Sequence, residues 1–565
     1  MNTTVSKYEK HLSIIYRKRT PELIIASAAI ATGLIVSYML FVRDQNILLY
    51  YGDSIAHLLI SRRIVDSIIP GLAQFGGVWL PMTHMLLSPF VINDFLFHTG
   101  FAGTIVSIVC TAITAVALFR IVKFQFNSVP AGLLASSIFF MNPSVIYMGI
   151  VPMMEAPFMM FFLLSVYYVQ KWYYIYSAGE DIWNQYRTIL KCGLVVSAAS
   201  LTRYEGWILP FGLIGFLAFI QLILVRRKER RYGFEAILLV AIIFGSLGIT
   251  MWVVWNTVIF KDPLYFATGP YSAQVQSEAR GFNDEFKLNP IRAISVISDV
   301  ATAMYGLHVL VISILGIITY LYMGRKNKVL SFSLLTIIML VLPLLIDFIS
   351  MIQGAGEIFP TTPGRWFNGR YLIFLAPLFA FGSVSLVIFI SKKRKKVLTM
   401  PVVVIVIALY TFTIVSQPFD TNESNIITGG STPPALKSIF EPQTVDFQPA
   451  KEIGSVLGNK LNPGEHVVLF VERLNVDTIE FFSRLPLKSF IDVSSGHYWT
   501  TSLESPWVHG KYVIREKAIG FSTSSTYDPL IEYMTYWEDN KSTLMEHYNI
   551  IYENKYFELL EKKKN

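Results

Sequence analysis

Apolar runs of about 20 residues recur between residues 23 and 416, separated by short polar or basic segments, and each can cross a hydrocarbon layer as a helix. The pattern predicts about eleven spans: 23–42, 101–120, 129–148, 153–170, 190–202, 207–225, 235–255, 302–323, 329–350, 371–390 and 397–416. Arg203-Tyr-Glu-Gly206 interrupts the fifth and sixth and reads as a turn. Residues 82–98 are apolar but short, with Pro89 and Asp94 inside them, which predicts an interfacial or re-entrant segment. Beyond 416 the pattern changes. A stretch rich in Ser, Thr, Gly and Pro runs to about 445, and short apolar runs at 466–472, 489–492, 511–515 and 548–552 then alternate with helical stretches at 476–484 and 527–546. The expected fold is therefore mainly α: a polytopic helical bundle over 1–416 followed by a small α/β domain over 417–565. No internal repeat indicates duplicated halves.

Composition agrees with a membrane chain. Of 565 residues, 53% are hydrophobic and 15% charged, against about 25% charged for soluble domains. The net charge of +8 does not point to nucleic acid, because the basic residues sit in short blocks between spans. Arg17-Lys-Arg19, Arg120 with Lys123, Lys171 to Lys191, Arg226 to Arg231, Arg325 to Lys328 and Lys392 to Lys396 all fall on one face when eleven spans are threaded. The positive-inside bias makes that face cytoplasmic, with the N-terminus inside and the C-terminal domain outside the cytoplasm. Segments 43–100, 256–300 and 351–370 then lie on the outer side. The first apolar run is too long for a signal-peptide core and no small-residue cleavage pattern follows it, which predicts an uncleaved first helix. Cys110 and Cys192 both fall within apolar runs, so neither a disulfide framework nor a thiolate metal site is expected.

The outer segments carry the chemistry. Asp53 and His57, in Tyr51-Gly-Asp-Ser-Ile-Ala-His57, stand just past the first span with Arg62 and Arg63 behind them. Charges there cost solvation energy unless they line a polar site. Four residues apart, Asp53 and His57 share a helical face, as a base with an orienting partner or as two ligands of a divalent metal; the competing reading is solvation of an interfacial helix. Glu155 opens a span, where catalysis competes with favourable placement at the positive end of the helix dipole. Arg203 and Glu205 are either a turn-holding ion pair or an arginine facing phosphate with its counter-ion. Arg365, Arg370 and Tyr371 lie in Pro363-Gly-Arg-Trp-Phe-Asn-Gly-Arg-Tyr371 before the tenth span, where outer positive charge calls for an anionic partner. A polyprenyl phosphate would supply it; headgroup anchoring is the alternative. Trp79 and His84 close the first outer loop, Trp79 as a belt aromatic or a sugar platform. The 256–300 loop, with Asp262, Arg280, Lys287 and Arg292, could cover a lipid-carrier groove. P-loops, dinucleotide fingerprints and zinc His-Glu pairs do not occur.

An N-in first span, an acid in Gly-Asp-x-x-x-His, a Trp-Leu-Pro further on, an acid opening a later outer turn and an Arg-Tyr-Glu-Gly junction together resemble the GT-C superfamily of integral-membrane glycosyltransferases. The branch most similar is that of the prokaryotic protein-mannosyltransferases and aminoarabinose transferases, over about residues 20–416. The resemblance implies an inverting transfer from a polyprenyl-phosphate sugar donor to an acceptor glycan, lipid or protein. Asp53 matches the catalytic acid of the first outer loop, and Arg365 or Arg370 the phosphate-binding residues. Asp53 is followed by Ser54 where many protein-mannosyltransferases carry two adjacent acids, a departure that bears on the donor, the acceptor and any divalent metal. A transporter or flippase of lipid-linked sugars is the rival expectation, which requires charges spread through the mid-membrane. A non-catalytic scaffold, the second rival, leaves the outer acids and arginines without a purpose.

Overall fold

The computed structural model describes residues 19–221, 233–280, 287–327, 330–355, 358–362, 365–393, 399–415, 426–427, 448–517 and 530–564. The first span, α1 (Thr20–Arg43), starts on Pro21 and ends at Asp44. It buries only Ile25, Ala29, Gly33, Ser37 and Leu40, a single stripe at helical spacing, while Leu34, Ile35 and Met39 face outward. Such exposed apolar area is stable only against lipid. α2 (Gly52–Arg63) is a short helix beyond the span, and α3 (Phe101–Phe126) is a long, mostly buried helix against which α1 packs. A Cβ on Gly33 would lie 2.7 Å from Ile108 Cγ1, so the close α1–α3 approach needs glycine there.

Next come α4 (Glu155–Ala178) and α5 (Ile182–Ser200), which pack together, with α6 (Phe234–Phe260) beside α5. α7 (Pro290–Tyr305) is amphipathic and buries Ala293, Val296, Val300 and Met304. Gly306, at φ +80°, separates it from α8 (Leu307–Lys326). A short antiparallel hairpin, β1 (Phe359–Thr362) and β2 (Arg365–Phe367), precedes a 3₁₀ segment, Gly369–Leu375, that leads into α9 (Ala376–Lys393). α8 and α9 touch backbone to backbone at Gly316 and Gly382, and Ser313 Oγ reaches Phe379 O at 3.0 Å. Small residues and hydroxyl bonds hold helix pairs where lipid removes the hydrophobic drive between them.

The chain is multi-pass, but the predicted number of spans is not reproduced. Among the described residues, five helices are long and apolar enough to cross a membrane, six if one bent pair is a single span, and Val129–Phe139, Tyr204–Phe219 and Met400–Phe412 are shorter apolar helices. The reasons are local. The predicted 129–148 span breaks at Asn142-Pro143, where Asn142 caps a new turn, Pro143–Met148. The predicted 329–350 span bends by 48° at Pro343, between Phe332–Val341 and Leu344–Gln353. The predicted 302–323 span begins instead at Leu307, and much of the expected 256–300 loop is helical, in Ala273–Arg280 and α7. The interfacial segment at 82–98 is two short helices, Met82–Leu87 and Asp94–Thr99.

The C-terminal region forms a five-stranded sheet in the order β4-β3-β5-β7-β6. β3 (Val467–Phe470), β4 (Phe490–Ile491) and β5 (Tyr512–Glu516) are parallel; β6 (Tyr548–Glu553) and β7 (Phe557–Lys562) add antiparallel. β3, buried along its whole length, lies between β4 and β5, an interior place that suits its unbroken Val-Val-Leu-Phe run. Four of the five strands match expected runs, and β7 was missed because Glu558 and Glu561 interrupt its apolar pattern. Helix α10 (Arg473–Ser483) follows β3 and rests on α2. Phe481 and Leu487 enter the core made by Leu58, Leu59, Leu87, Val91 and Phe97.

Candidate active site

Asp53 stands in the first turn of α2 with its side chain 41% exposed, on the wall of a cavity of about 770 Å³ between the membrane bundle and the C-terminal sheet. Its Oδ2 accepts a hydrogen bond from Arg370 Nη2 at 2.5 Å, across 317 residues of sequence. The 3₁₀ segment after Asn368, a residue at φ +54°, delivers Arg370 into this position. There the guanidinium is almost fully buried, 4.5 Å from the ring of Tyr51 and 5.7 Å from that of Tyr371. Its Nε is 3.5 Å from Glu155 Oε1. Nη1 and Nε have no hydrogen-bond partner among the described residues, and neither has Glu155 Oε2. Unpaired donors on a buried cation are costly unless a ligand completes them.

Glu155, in the first turn of α4, also accepts from Arg203 Nη1 at 2.9 Å. Arg203 Nε donates to Glu205 at 2.9 Å, and its guanidinium lies 4.7 Å from the Tyr371 ring. Burial opposes the charge on Arg203, but Glu205 and Glu155 outweigh it and raise its pKa. The acids and arginines that the sequence singled out on four separate outer segments thus form one chain: Asp53, Arg370, Glu155, Arg203, Glu205. Arg203 and Glu205 are the ion pair expected at the turn, and Arg203 reaches Glu155 as well.

His57 behaves differently. Its Nδ1 lies 2.9 Å from His84 Nε2, so it pairs with the second histidine rather than with Asp53. Both rings are buried; burial, with Arg370 and Arg203 adding to it, pushes His57 down to about 3, and burial with His57 nearby holds His84 well below its usual value. Both are neutral at physiological pH. Trp79 packs on the pair, 4.5 Å from the His57 ring and 6.5 Å from that of His84, and lines the cavity. An Asp53–His57 metal site does not fit this geometry, and no group of three His, Cys, Asp or Glu side chains could hold an ion among the described residues.

Arg62 and Arg63 have protein partners. Arg62 bonds Asp66 at 3.0 Å and Asp94 at 2.5 Å, beside the Phe97 ring. Arg63 pairs with Glu480 and, at 3.1 Å, with Asp477 on α10. Arg365 lies on β2; its side chain is outside the described residues. From the 256–300 loop, Tyr265, Tyr271 and Gln276 line the cavity, while residues 281–286 are outside the described set. Sequence reasoning missed Tyr51, Lys451, Arg473 and Ser494. Only Arg473 carried a signal, as the cation directly after a buried strand.

Residues 92–255 match the family model described as dolichyl-phosphate-mannose-protein mannosyltransferase. The structure is similar to ArnT from Cupriavidus metallidurans bound to undecaprenyl phosphate, with a TM-score of 0.53 at 11% identity, over 94% of this chain and 97% of that one. The two chains share a fold. The same fold aligns with the archaeal oligosaccharyltransferase AglB from Archaeoglobus fulgidus, in complex with an inhibitory peptide and a dolichol-phosphate, at a TM-score of 0.51 and 11% identity, over 97% of this chain and 75% of AglB. No curated protein matches the chain in sequence. The charged chain borders the cavity between the membrane bundle and the C-terminal sheet.

Proposed function

We propose that the chain is an inverting glycosyltransferase that moves a sugar from a polyprenyl-phosphate donor to an acceptor hydroxyl on the extracytoplasmic face, with 1–416 as the membrane catalytic unit and 417–565 as an outer domain. The observation that carries this reading is Arg370: a buried guanidinium whose Nη1 has no partner among the described residues, bonded to an accessible carboxylate on a cavity wall. The donor's phosphodiester, which joins the polyprenol to the sugar, supplies the oxygens Arg370 lacks. As the phosphate draws Arg370 toward itself, Asp53 Oδ2 is released from the pair and becomes the general base. Asp53 takes the acceptor's proton, the acceptor oxygen bonds to the anomeric carbon from the opposite side, and the bond from that carbon to phosphate oxygen breaks. The leaving phosphate keeps the electron pair and is stabilised by Arg370, so no strong acid is needed. Glu155, shared by Arg370 and Arg203, keeps Arg370 in register.

The test is Asp53→Asn, assayed for release of free polyprenyl phosphate and for donor affinity. Transfer should fall by about 10²–10⁴-fold. Donor binding should be at least as tight as in the native protein, because Arg370 no longer has Asp53 to hold it. Transfer within a factor of about three of native removes Asp53 from the role of base.

A further inference from the structure

The cavity has a second wall that the transfer step does not use. The chain leaves β3 through α10 to β4 on one side, then crosses back through helix His497–Glu504 to β5 on the other. The winding of the parallel strands therefore reverses at β3. In open α/β sheets ligands bind in the space beyond the carboxyl ends of the parallel strands. Glu472 and Arg473 follow the end of β3, Val493 and Ser494 follow the end of β4, and all four line the same cavity as Asp53. The sheet thus turns its crevice toward the reacting carboxylate.

Opposite stands the outer loop 64–79, which is fixed to the sheet. Gln74 Nε2 donates to Ser494 O at 3.2 Å, and Leu487 N donates to Asp66 at 3.2 Å. Gly496, at φ +55°, lets the backbone pass Ile69, whose Cδ1 would lie 2.8 Å from a Cβ at that position. The space between the walls is a built site, since both sides are tied in place.

Its lining defines the ligand. Aromatic rings of Trp79 and Tyr271, side-chain amides and carboxylates surround the opening. Four carboxylates face three cations, and two of those cations, Arg63 and Arg473, already bond Asp477 Oδ1 at 3.1 and 3.0 Å. An anionic headgroup would add to the excess of carboxylates. A pyranose offers flat C–H faces to aromatic rings and hydroxyls to amides and carboxylates without adding charge.

We infer that the carboxyl edge of this sheet and Trp79 form the acceptor subsite, and that the acceptor is a neutral saccharide. The inference rests on the glycosyltransferase reading for its direction, one sugar hydroxyl pointing to Asp53, while binding itself does not depend on which residue is the base.

The full-length protein in nanodiscs, without donor, is titrated with mannotriose, maltotriose, chitotriose, an acidic glucuronate trisaccharide and a lysine-rich peptide, followed by calorimetry. At least one neutral trisaccharide should bind saturably. Trp79→Ala and Ser494→Trp, which remove the platform and fill the crevice from the two opposite walls, should each weaken it by about tenfold or more. Absence of neutral-sugar binding overturns the proposal, as does tighter binding of the acidic sugar or the peptide. Neutral-sugar binding unchanged by either substitution overturns it too; where one variant does not fold, the other alone decides. Because donor is absent, an Asp53→Asn protein that still transfers sugar would refute the base while leaving this result standing.

Discussion

Arg370 is the residue on which the site turns. Four electron-rich groups surround it, the carboxylates of Asp53 and Glu155 and the rings of Tyr51 and Tyr371, yet Nη1 has no hydrogen-bond partner among the described residues. A guanidinium built into such a cage binds one further anion in a fixed orientation. Arg370→Ala should therefore weaken donor binding and slow transfer together, and Arg370→Lys should restore only part of each, lacking the planar fork. Donor titration of the two variants checks this. If both bind donor as the native protein does, the phosphate site lies elsewhere, with Arg203 and the segment from Arg280 to Arg292 next in line. Asp53 was legible at this scale because a carboxylate just past an apolar span has few structural uses. Its partner was not, since nothing in a sequence links position 53 to position 370.

Among the elements, α2 and α10 matter most, because their contact closes the cavity. Arg63 is buried and faces Glu480 and Asp477, with Asp492 at 3.9 Å. Removing one partner from a buried ionic cluster leaves uncompensated charge and typically costs about 3–5 kcal/mol. Arg63→Ala should lower the unfolding temperature of the C-terminal domain in detergent and expose loop 64–79 to protease. The junction is also pH-dependent. Burial pushes the Glu480 carboxyl up to about 7, with Arg63 opposing, so folding raises its pKa above the ordinary value. The stabilisation from its protonated form is complete below about pH 4.5 and fades as pH rises through about 7. Domain stability should thus fall between pH 5 and 8, and Glu480→Gln should flatten that slope; thermal unfolding followed by tryptophan fluorescence measures both. The sequence marked Arg63 as a substrate residue. Its structural partners are 414 and 417 positions away, beyond the reach of any local pattern.

For the molecule as a whole, charge placement sets the orientation. Arg120 bonds Glu22 at 2.6 Å at one end of the α1–α3 pair, while Asp44 and α2 lie at the other. Arg120 and the candidate site therefore sit at opposite ends of the α1–α3 pair. By the positive-inside bias the Arg120 end should be cytoplasmic, and residues 417–565 should lie outside the cytoplasm. A reporter active only in the cytoplasm, fused after Asn565, should be silent, and one fused before Thr20 should be active. The reverse pattern would put the candidate site in the cytoplasm and remove the extracytoplasmic transfer.

Membrane class, a C-terminal α/β sheet and the polar outer loops were legible in the sequence because each follows from a local rule: run length against hydrocarbon thickness, alternation within short runs, and the cost of charge beside lipid. The individual spans were less so. Breaks at Asn142-Pro143, Gly306 and Pro343 are visible as residues, but whether a helix resumes after a break depends on what packs around it. The arrangement of the site was decided by tertiary structure alone. Asp53 and His57 share a short helix, yet packing turned one toward Arg370 and a cavity and the other into a neutral pair with His84. Helical spacing makes two side chains neighbours; the protein around them determines which partner each one keeps.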